Sequence, residues 1–246
     1  MKRCYLASEN WQEGSAFLSE AESRHLVGVL RARAGERIEV LDGAGRVGTA
    51  EILEPNAKRT EVRILSQTTM EPQVPRRILA QALVREQQMD SLIQKAVELG
   101  VHEIWPLQTD HAVVKIRPAD AAKKSARWQA IALSSCKQSG NPWLPIIAPV
   151  RKLTDALVDL REARGAACFG ALQPGALPLP TYFGRLRQEN CPQVTMFIGP
   201  EGDFSATEVA ALLAAGVQPV TFGQRVLRAE TAALFILAAL EYAWMS

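Results

Sequence analysis

Two short stretches concentrate the residues able to do chemistry. Gly199-Pro200-Glu201-Gly202-Asp203-Phe204-Ser205 follows an apolar, β-branched run at 194–198, and Gly223-Gln224-Arg225-Val226-Leu227-Arg228-Ala229-Glu230-Thr231 follows a second run at 217–222. Glycines at 199 and 202 let a ligand approach the main chain where no Cβ intervenes. A phosphate cradle would need Lys-Ser or Lys-Thr after its last glycine, and a dinucleotide fingerprint would need three glycines. Asp203-Phe204 stands there instead, and Glu201 and Asp203 repel phosphate, so the loop suits a ligand that is neutral or cationic at the contact. The same residues also fit a tight turn into a capped helix with no ligand at all. In the second stretch Arg225, Val226, Leu227 and Arg228 alternate charged and apolar residues without a strand pattern. That pattern predicts that Val226 and Leu227 are buried by something other than an ordinary turn.

The elements that hold these loops are legible around them. Ser205 and Glu208 have the spacing of a capping box and Gly216 that of a C′ residue, which bounds one helix; a last helix is expected over 232–244. Loops at the carboxyl ends of strands in such an α/β segment are where these sheets bind ligands. Upstream, an apolar strand at 78–84, a helix at 89–99 closed by Gly100, and a strand at 101–107 give a β-α-β order, hence a doubly wound domain. Leu92, Ile93, Ala96, Val97 and Leu99 form the inner face of that helix. A helix over 154–163 and a strand over 165–169 lead to a third loop at 170–174, and 174–192 reads as a surface connection with a short helical segment. Before the proline-bearing linker 71–75 the pattern is different. Alternating strands at 37–42, 47–53 and 59–65, a hairpin signal at Asp42-Gly43-Ala44-Gly45 and a helix at 20–30 predict a small β-barrel with one helix.

Composition sets wide bounds. The chain has 246 residues, 48% of them hydrophobic, enough for a large core in one or two domains. Cys4, Cys136, Cys168 and Cys191 are far apart and form neither a zinc motif nor a disulfide framework, which fits a reduced, cytoplasmic setting. No signal-like core follows Met1, and no apolar run is long enough for a bilayer, so no membrane partner is expected. A net charge of +2 does not by itself point to nucleic acid, so basic patches would have to supply any RNA affinity. Lys123, Lys124, Arg127, Lys137 and Trp128 are one such basic and aromatic set; buried Trp128 with solvated lysines is the alternative.

The two loop sequences, G-P-E-G-D-F-S and G-Q-R-V-L-R-A-E-T-A, resemble the signature of the RsmE family, SPOUT-class methyltransferases of uridine N3 in 16S ribosomal RNA of the small subunit. The resemblance runs from about residue 24 to 233 and includes Arg24-His25-Leu26, Val29-Leu30-Arg31, Gly35-Glu36, Asp42-Gly43, Asp90, Gln94-Lys95, Glu98, Leu99-Gly100, Arg127-Trp128, Ile131, Gln138-Ser139-Gly140 and Pro145. It implies an α/β SPOUT methyltransferase domain at 74–246 with a C-terminal trefoil knot, preceded by a PUA-like β-barrel domain at 1–73 that binds RNA. It also implies S-adenosylmethionine as methyl donor, without a metal. The implied cofactor residues are Ala171, Leu172, Ile198, Gly199, Pro200, Glu201, Gly202, Phe222, Gly223, Arg225, Val226, Leu227, Arg228, Thr231 and Ala232.

Arg225 and Arg228 are expected to stabilise a uracil anion, as preorganised donors do. Glu201 is the third catalytic candidate. Glu201 and Glu230 are the carboxylates in the right stretches for a base, yet Glu201 could order its loop and Glu230 could cap the last helix. RNA contacts are expected from Arg24, Arg31, Arg33, Lys95, Arg127, Gln138 and Asn141. A homodimer is expected through the last helix, which is apolar nearly all round. Five positions depart from the family pattern: Asp110-His111 where Glu-Arg is usual, Lys137 for Glu, Asn141 for Arg, and Gln173 for His. Two other readings are a SPOUT enzyme acting on a different RNA nucleotide and a catalytically silent RNA-binding protein.

Overall fold

The computed structural model describes residues 1–11, 14–162, 165–171 and 175–245, and the chain divides into two compact units. The first comprises 1–72 and 133–144, the second 73–132 and 145–246. A split near residue 73 is therefore only part of the division, because a later segment returns to the first unit.

The first unit contains β1 (Arg3–Tyr5), β2 (Ser15–Phe17), α1 (Glu20–Arg24), β3 (Arg37–Leu41), β4 (Arg46–Glu54) and β5 (Glu61–Thr69). They form one five-stranded sheet in the order β1-β3-β4-β5-β2, antiparallel except for β1 beside β3. Register shifts after Thr49 and Ile52 bend β4, as bulges do, around a core of Leu6, Leu18, Leu26, Ile38, Val40, Ile52 and Val62. The helix expected over 20–30 is α-helical only to Arg24 and then widens into a π-helical turn, His25–Val29.

The returning segment completes this unit. Gly43 and Gly45 both have positive φ, and a Cβ at Gly45 would lie 2.4 Å from the Trp143 ring, so only glycine suits the hairpin tip. Leu144 N donates to Gly43 O and Gly45 N to Pro142 O. Lys137 Nζ lies 2.6 Å from Oε1 of buried Glu22, whose Oε2 accepts from Tyr5 N. Arg3 donates to the carbonyls of Lys137 and Gln138.

The second unit begins with β6 (Arg76–Ala82), α2 (Glu86–Glu98), β7 (Glu103–Gln108) and α3 (Pro118–Ser139), whose last residues from 133 belong to the first unit. There follow β8 (Ile146–Ile147), β9 (Arg151–Lys152), α4 (Leu153–Glu162), β10 (Ala166–Gly170), β11 (Leu177–Pro178), α5 (Leu179–Gln188), β12 (Gln193–Ile198), α6 (Ala206–Ala214), β13 (Gln218–Thr221) and α7 (Ala229–Met245). All pairings are parallel, in the order β11-β13-β10-β12-β6-β7-β8, with β9 also on β7. Parallel strands need crossovers and cover on both faces. One face packs Ile78, Ala80, Trp105, Leu107, Phe169 and Phe197 against α4 and α6, and the other is covered by α2 and α7.

Two expectations change here, and one open alternative is decided. The stretch after Pro174 is no mere surface connection: it adds β11 to the sheet edge, and Leu179, Tyr182, Phe183 and Leu186 bury one face of α5 beside α7. Prolines 178 and 180 suggest a loop, yet proline is well tolerated in a first helical turn. The last helix starts at Ala229 rather than 232, since Glu230 and Thr231 suit a first turn. Trp128 is buried, and Lys124 and Arg127 pair with Glu86 and Asp90 of α2, so the basic and aromatic patch does not form as an open surface.

An ion pair ties the start of β6 to the end of α7. Arg77 is 2% exposed and bonds Glu241, Gln73 Oε1 and the Leu99 carbonyl. Removing one partner of such a pair strands a buried charge, at about 3–5 kcal/mol. His102 sits beside it, its Nδ1 accepting from Arg77 N at 3.2 Å. Burial, reinforced by the positive Arg77 and Arg76, lowers its pKa from 6.5 to about 4. The unfolded chain therefore binds the extra proton first as pH falls. The stability gained by holding His102 neutral is present above about pH 6.5 and is lost as pH falls towards about 4. His102→Asn, which keeps an acceptor, is expected to flatten the fall in melting temperature between pH 7 and 5, measured by scanning calorimetry against the parent protein.

Candidate functional site

The carboxyl ends of β10, β12 and β13 meet at one edge of the sheet. β13 lies on the far side of β10 from β12, so the chain leaving β12 must cross β10 to reach it. The connections diverge around β10, the situation in which open sheets form a crevice. A cavity of about 260 Å³ lies there, walled by Gly170 and Ala171 after β10, Ile198–Glu201 and Asp203 after β12, and Phe222, Gly223 and Arg225–Ala229 after β13, with Ala232 of α7. Ala171 N donates to Val220 O at 2.9 Å, drawing the first and third walls together. Phe222 packs on Phe235 of α7 with ring centroids 5.8 Å apart. A Cβ at Gly170 would lie 3.0 Å from the Phe222 ring, so that wall approaches the sheet edge closely.

Of the cofactor residues expected from sequence, Ala171, Ile198, Gly199, Pro200, Glu201, Phe222, Gly223, Arg225, Val226, Leu227, Arg228 and Ala232 line this cavity. Gly202 and Thr231 do not; Leu172, like Gln173, lies outside the described residues. Gly202 turns towards His111, whose Cβ would lie 3.2 Å from a Cβ built on the glycine. Gly170, Asp203 and Ala229 line the cavity without having been singled out as cofactor residues. Val226 is 75% exposed, contrary to the burial expected of it, and Leu227 is half-buried. The two residues serve as cavity wall instead of core.

The first loop is held from below. Asp203 N donates to Pro200 O at 3.0 Å, and Asp203 adopts φ 60, a left-handed conformation that Asp tolerates better than most residues. Its Oδ1 accepts from Phe204 N. Ser205 and Glu208 form the reciprocal capping box at the start of α6. The loop after β7 joins in: Ser205 Oγ donates to Asp110 Oδ2 at 2.7 Å, Asp110 N donates to Glu208 Oε1, and His111 Nδ1 lies near the carbonyls of Gly202 and Asp203. Local sequence patterns carry no sign of this, because the partners are 91 to 98 residues apart.

Arg225, Arg228 and Glu201 are exposed at the cavity wall, and among the described residues neither arginine has an ion-pair partner. Two unpaired guanidinium groups at a concave, otherwise largely apolar wall can stabilise negative charge developing on a bound group. Glu230 stands in the first turn of α7, and its Oε1 accepts from Gln88 Nε2 of α2 at 3.4 Å, away from the cavity wall. No group of three or more metal-ligating side chains occurs among the described residues.

The residues expected at RNA are distributed differently. Arg31 and Arg33 are exposed, Arg24 pairs with Glu20 along α1, and Lys95 is exposed on α2. Arg127 is engaged by Glu86 and Asp90. Gln138 is exposed, whereas Asn141 builds a turn by accepting from Trp143 N. Lys137 satisfies Glu22.

Residues 70–241 match the family described as RNA methyltransferase domain, and residues 18–65 match the RNA methyltransferase PUA domain. The ribosomal RNA small subunit methyltransferase E of Synechocystis sp. is 30% identical, over 96% of this chain and 76% of the relative. The Bacillus subtilis protein of the same name is 25% identical, over 96% and 94%. The Neisseria gonorrhoeae ribosomal RNA small subunit methyltransferase E, solved bound to S-adenosyl methionine, superposes with a TM-score of 0.87 at 33% identity, covering 98% of this chain and 97% of that one.

Ser205 carries both the helix cap and the bond to Asp110. Ser205→Ala is expected to lower unfolding free energy by about 1–2 kcal/mol, read from the midpoint of urea unfolding at unchanged slope.

Proposed function

Since the chain belongs to the RNA methyltransferase family, in the group named ribosomal RNA small subunit methyltransferase E, we propose that it methylates N3 of a uridine in 16S rRNA, with S-adenosylmethionine as donor. The observation that carries this reading is the cavity built from the two signature loops, in a chain that superposes over almost its whole length on a relative solved with that cofactor.

The cofactor supplies an activated methyl group, so the protein's own work is binding, alignment and charge stabilisation. The backbone of the loops after β12 and β13, with the apolar surface of Ile198, Val226 and Leu227, suits the adenosyl group. Arg225 and Arg228 would stabilise the uracil anion formed as N3 loses its proton. Of the two carboxylates at the cavity wall, Asp203 accepts from Phe204 N and exposed Glu201 is the one we assign to take that proton, whereas Glu230 faces Gln88. The chain order around β10 supports a trefoil knot of the SPOUT kind, in which one connection threads another. The first unit, with exposed Arg31 and Arg33, would dock the RNA backbone; such contacts position without reading sequence.

An apolar groove of about 640 Å³ between α5 and α7, lined by Phe183, Phe222, Phe235 and Tyr242, is where we place the homodimer interface. Phe235 and Tyr242 are 45% and 76% exposed, and a second copy would cover them. No helix among the described residues is long and apolar enough to cross a membrane.

The decisive experiment is methyl transfer from labelled S-adenosylmethionine to small ribosomal subunits that lack the modification, with mass spectrometry of the digested nucleosides. N3-methyluridine is the expected product; a different methylated nucleoside would move the chain to another specificity, and cofactor binding without transfer to any RNA would favour a silent binding protein. Arg228→Ala is expected to lower kcat by about 10²–10³-fold while the cofactor Kd changes less than about threefold, under 1 kcal/mol; equal losses would make Arg228 a binding residue. Phe235→Glu is expected to convert the dimer to monomer in light scattering at micromolar concentration.

A further inference from the structure

We propose that Asp110 and His111 form a clasp that fixes the Gly199–Ser205 loop in its ligand-accepting shape, with His111 as a positioning residue. The inference rests on the cofactor reading given above and adds two residues that do not themselves line the cavity. His111 Nδ1 lies 3.0 Å from Gly202 O and 3.1 Å from Asp203 O. Carbonyl oxygens only accept, so Nδ1 carries the hydrogen and shares it between them. The same tautomer leaves Nε2 as the unprotonated nitrogen of the neutral ring, and protonating Nε2 keeps the Nδ1 donor in place.

Asp110 secures the other end of the loop. Its Oδ2 accepts from Ser205 Oγ at 2.7 Å and its N–H donates to Glu208 Oε1 at 3.0 Å. Two consecutive residues thus hold a segment from Gly202 to Glu208. Three features make the clasp matter. Glu201 and Asp203, on either side of Gly202, line the cavity, so a shift of the Gly202 carbonyl moves both. Asp203 is left-handed, a conformation that a non-glycine residue keeps when its surroundings hold it. The Cα of Gly202 also faces the imidazole, where a Cβ would meet His111 Cβ at 3.2 Å and its Cγ at 3.7 Å. The ring is exposed and outside the cavity, which separates positioning from proton transfer.

The test compares His111→Ala with His111→Asn in the whole 246-residue chain. The Asn side-chain N–H can replace the Nδ1–H donor but cannot act as a base near neutral pH. S-adenosylmethionine Kd is measured by calorimetry, methyl transfer at saturating cofactor from pH 6 to 9, and hydrogen–deuterium exchange on the peptide spanning 199–205 without any ligand. His111→Ala is expected to raise Kd about tenfold, the scale of one or two lost hydrogen bonds, to speed exchange in the loop, and to leave kcat within about twofold. His111→Asn is expected to restore Kd and exchange and to keep the parent pH profile, with Asp110, Asp203 and Glu208 as the neighbouring acids. An Asn variant as impaired as Ala, or a change in the pH profile of kcat, would overturn the positioning role. Unchanged exchange in His111→Ala would show the clasp to be idle. The exchange readout needs neither cofactor nor RNA, so failure of the clasp and failure of the methyltransferase reading are told apart.

Discussion

A strand that must be reached across its neighbour constrains this molecule more than any other feature. Parallel strands cannot be joined by tight turns, and placing β13 beyond β10 forces two long connections to leave the same sheet edge in opposite senses. The loops after β10, β12 and β13 are thereby brought within reach of one ligand, although more than fifty residues separate the first from the last. Everything local serves that convergence. The Ser205–Glu208 box starts α6 at a defined residue, the bond from Ala171 N to Val220 O closes the strand end, and Phe222 on Phe235 carries the last loop onto α7.

The rigidity behind the edge comes from the buried interior. Phe197 and Phe169 sit in neighbouring parallel strands, in direct register, with Trp105 and Phe204 meeting them edge-on. On the opposite face Arg77 spans from the start of β6 to Glu241 near the end of α7, so α7 is anchored at the end remote from the cavity while its first turn forms part of the cavity wall. The first residues of the helix inherit a fixed place from a charge pair eleven residues further along it than Glu230. An apolar helix slides easily on an apolar sheet, and a buried, directional ion pair resists such sliding.

Features set by neighbouring residues were legible in the chain: the capping box, the Asp42–Gly45 hairpin, the β-α-β order and the two signature loops. Those set by distant residues were not. Tyr182 and Phe183 are core side chains behind two prolines that suggest a loop, and only the packing of α5 against α7 distinguishes the two cases. Trp128 lies among basic residues yet is buried, because acids on α2 engage the cations around it. Lys137 makes sense only beside Glu22, and His111 only beside Gly202. Val226 fails in the opposite sense: its apolar character belongs to a cavity wall, which no periodicity announces.

The return of residues 133–144 to the first unit has a bearing on how the chain is made. During synthesis, residues 1–72 emerge first, but the Glu22 carboxylate must wait for Lys137, and the hairpin tip at Gly43 and Gly45 for Trp143 and Leu144. More than half of the chain has been translated by then, including β6, α2, β7 and most of α3. The N-terminal unit is therefore first in sequence without being first to finish. A fragment ending at the linker would expose the surface under Trp143 and leave Glu22 without its lysine. For a chain of this layout the two units mature together, and the first is complete only once construction of the second is well under way.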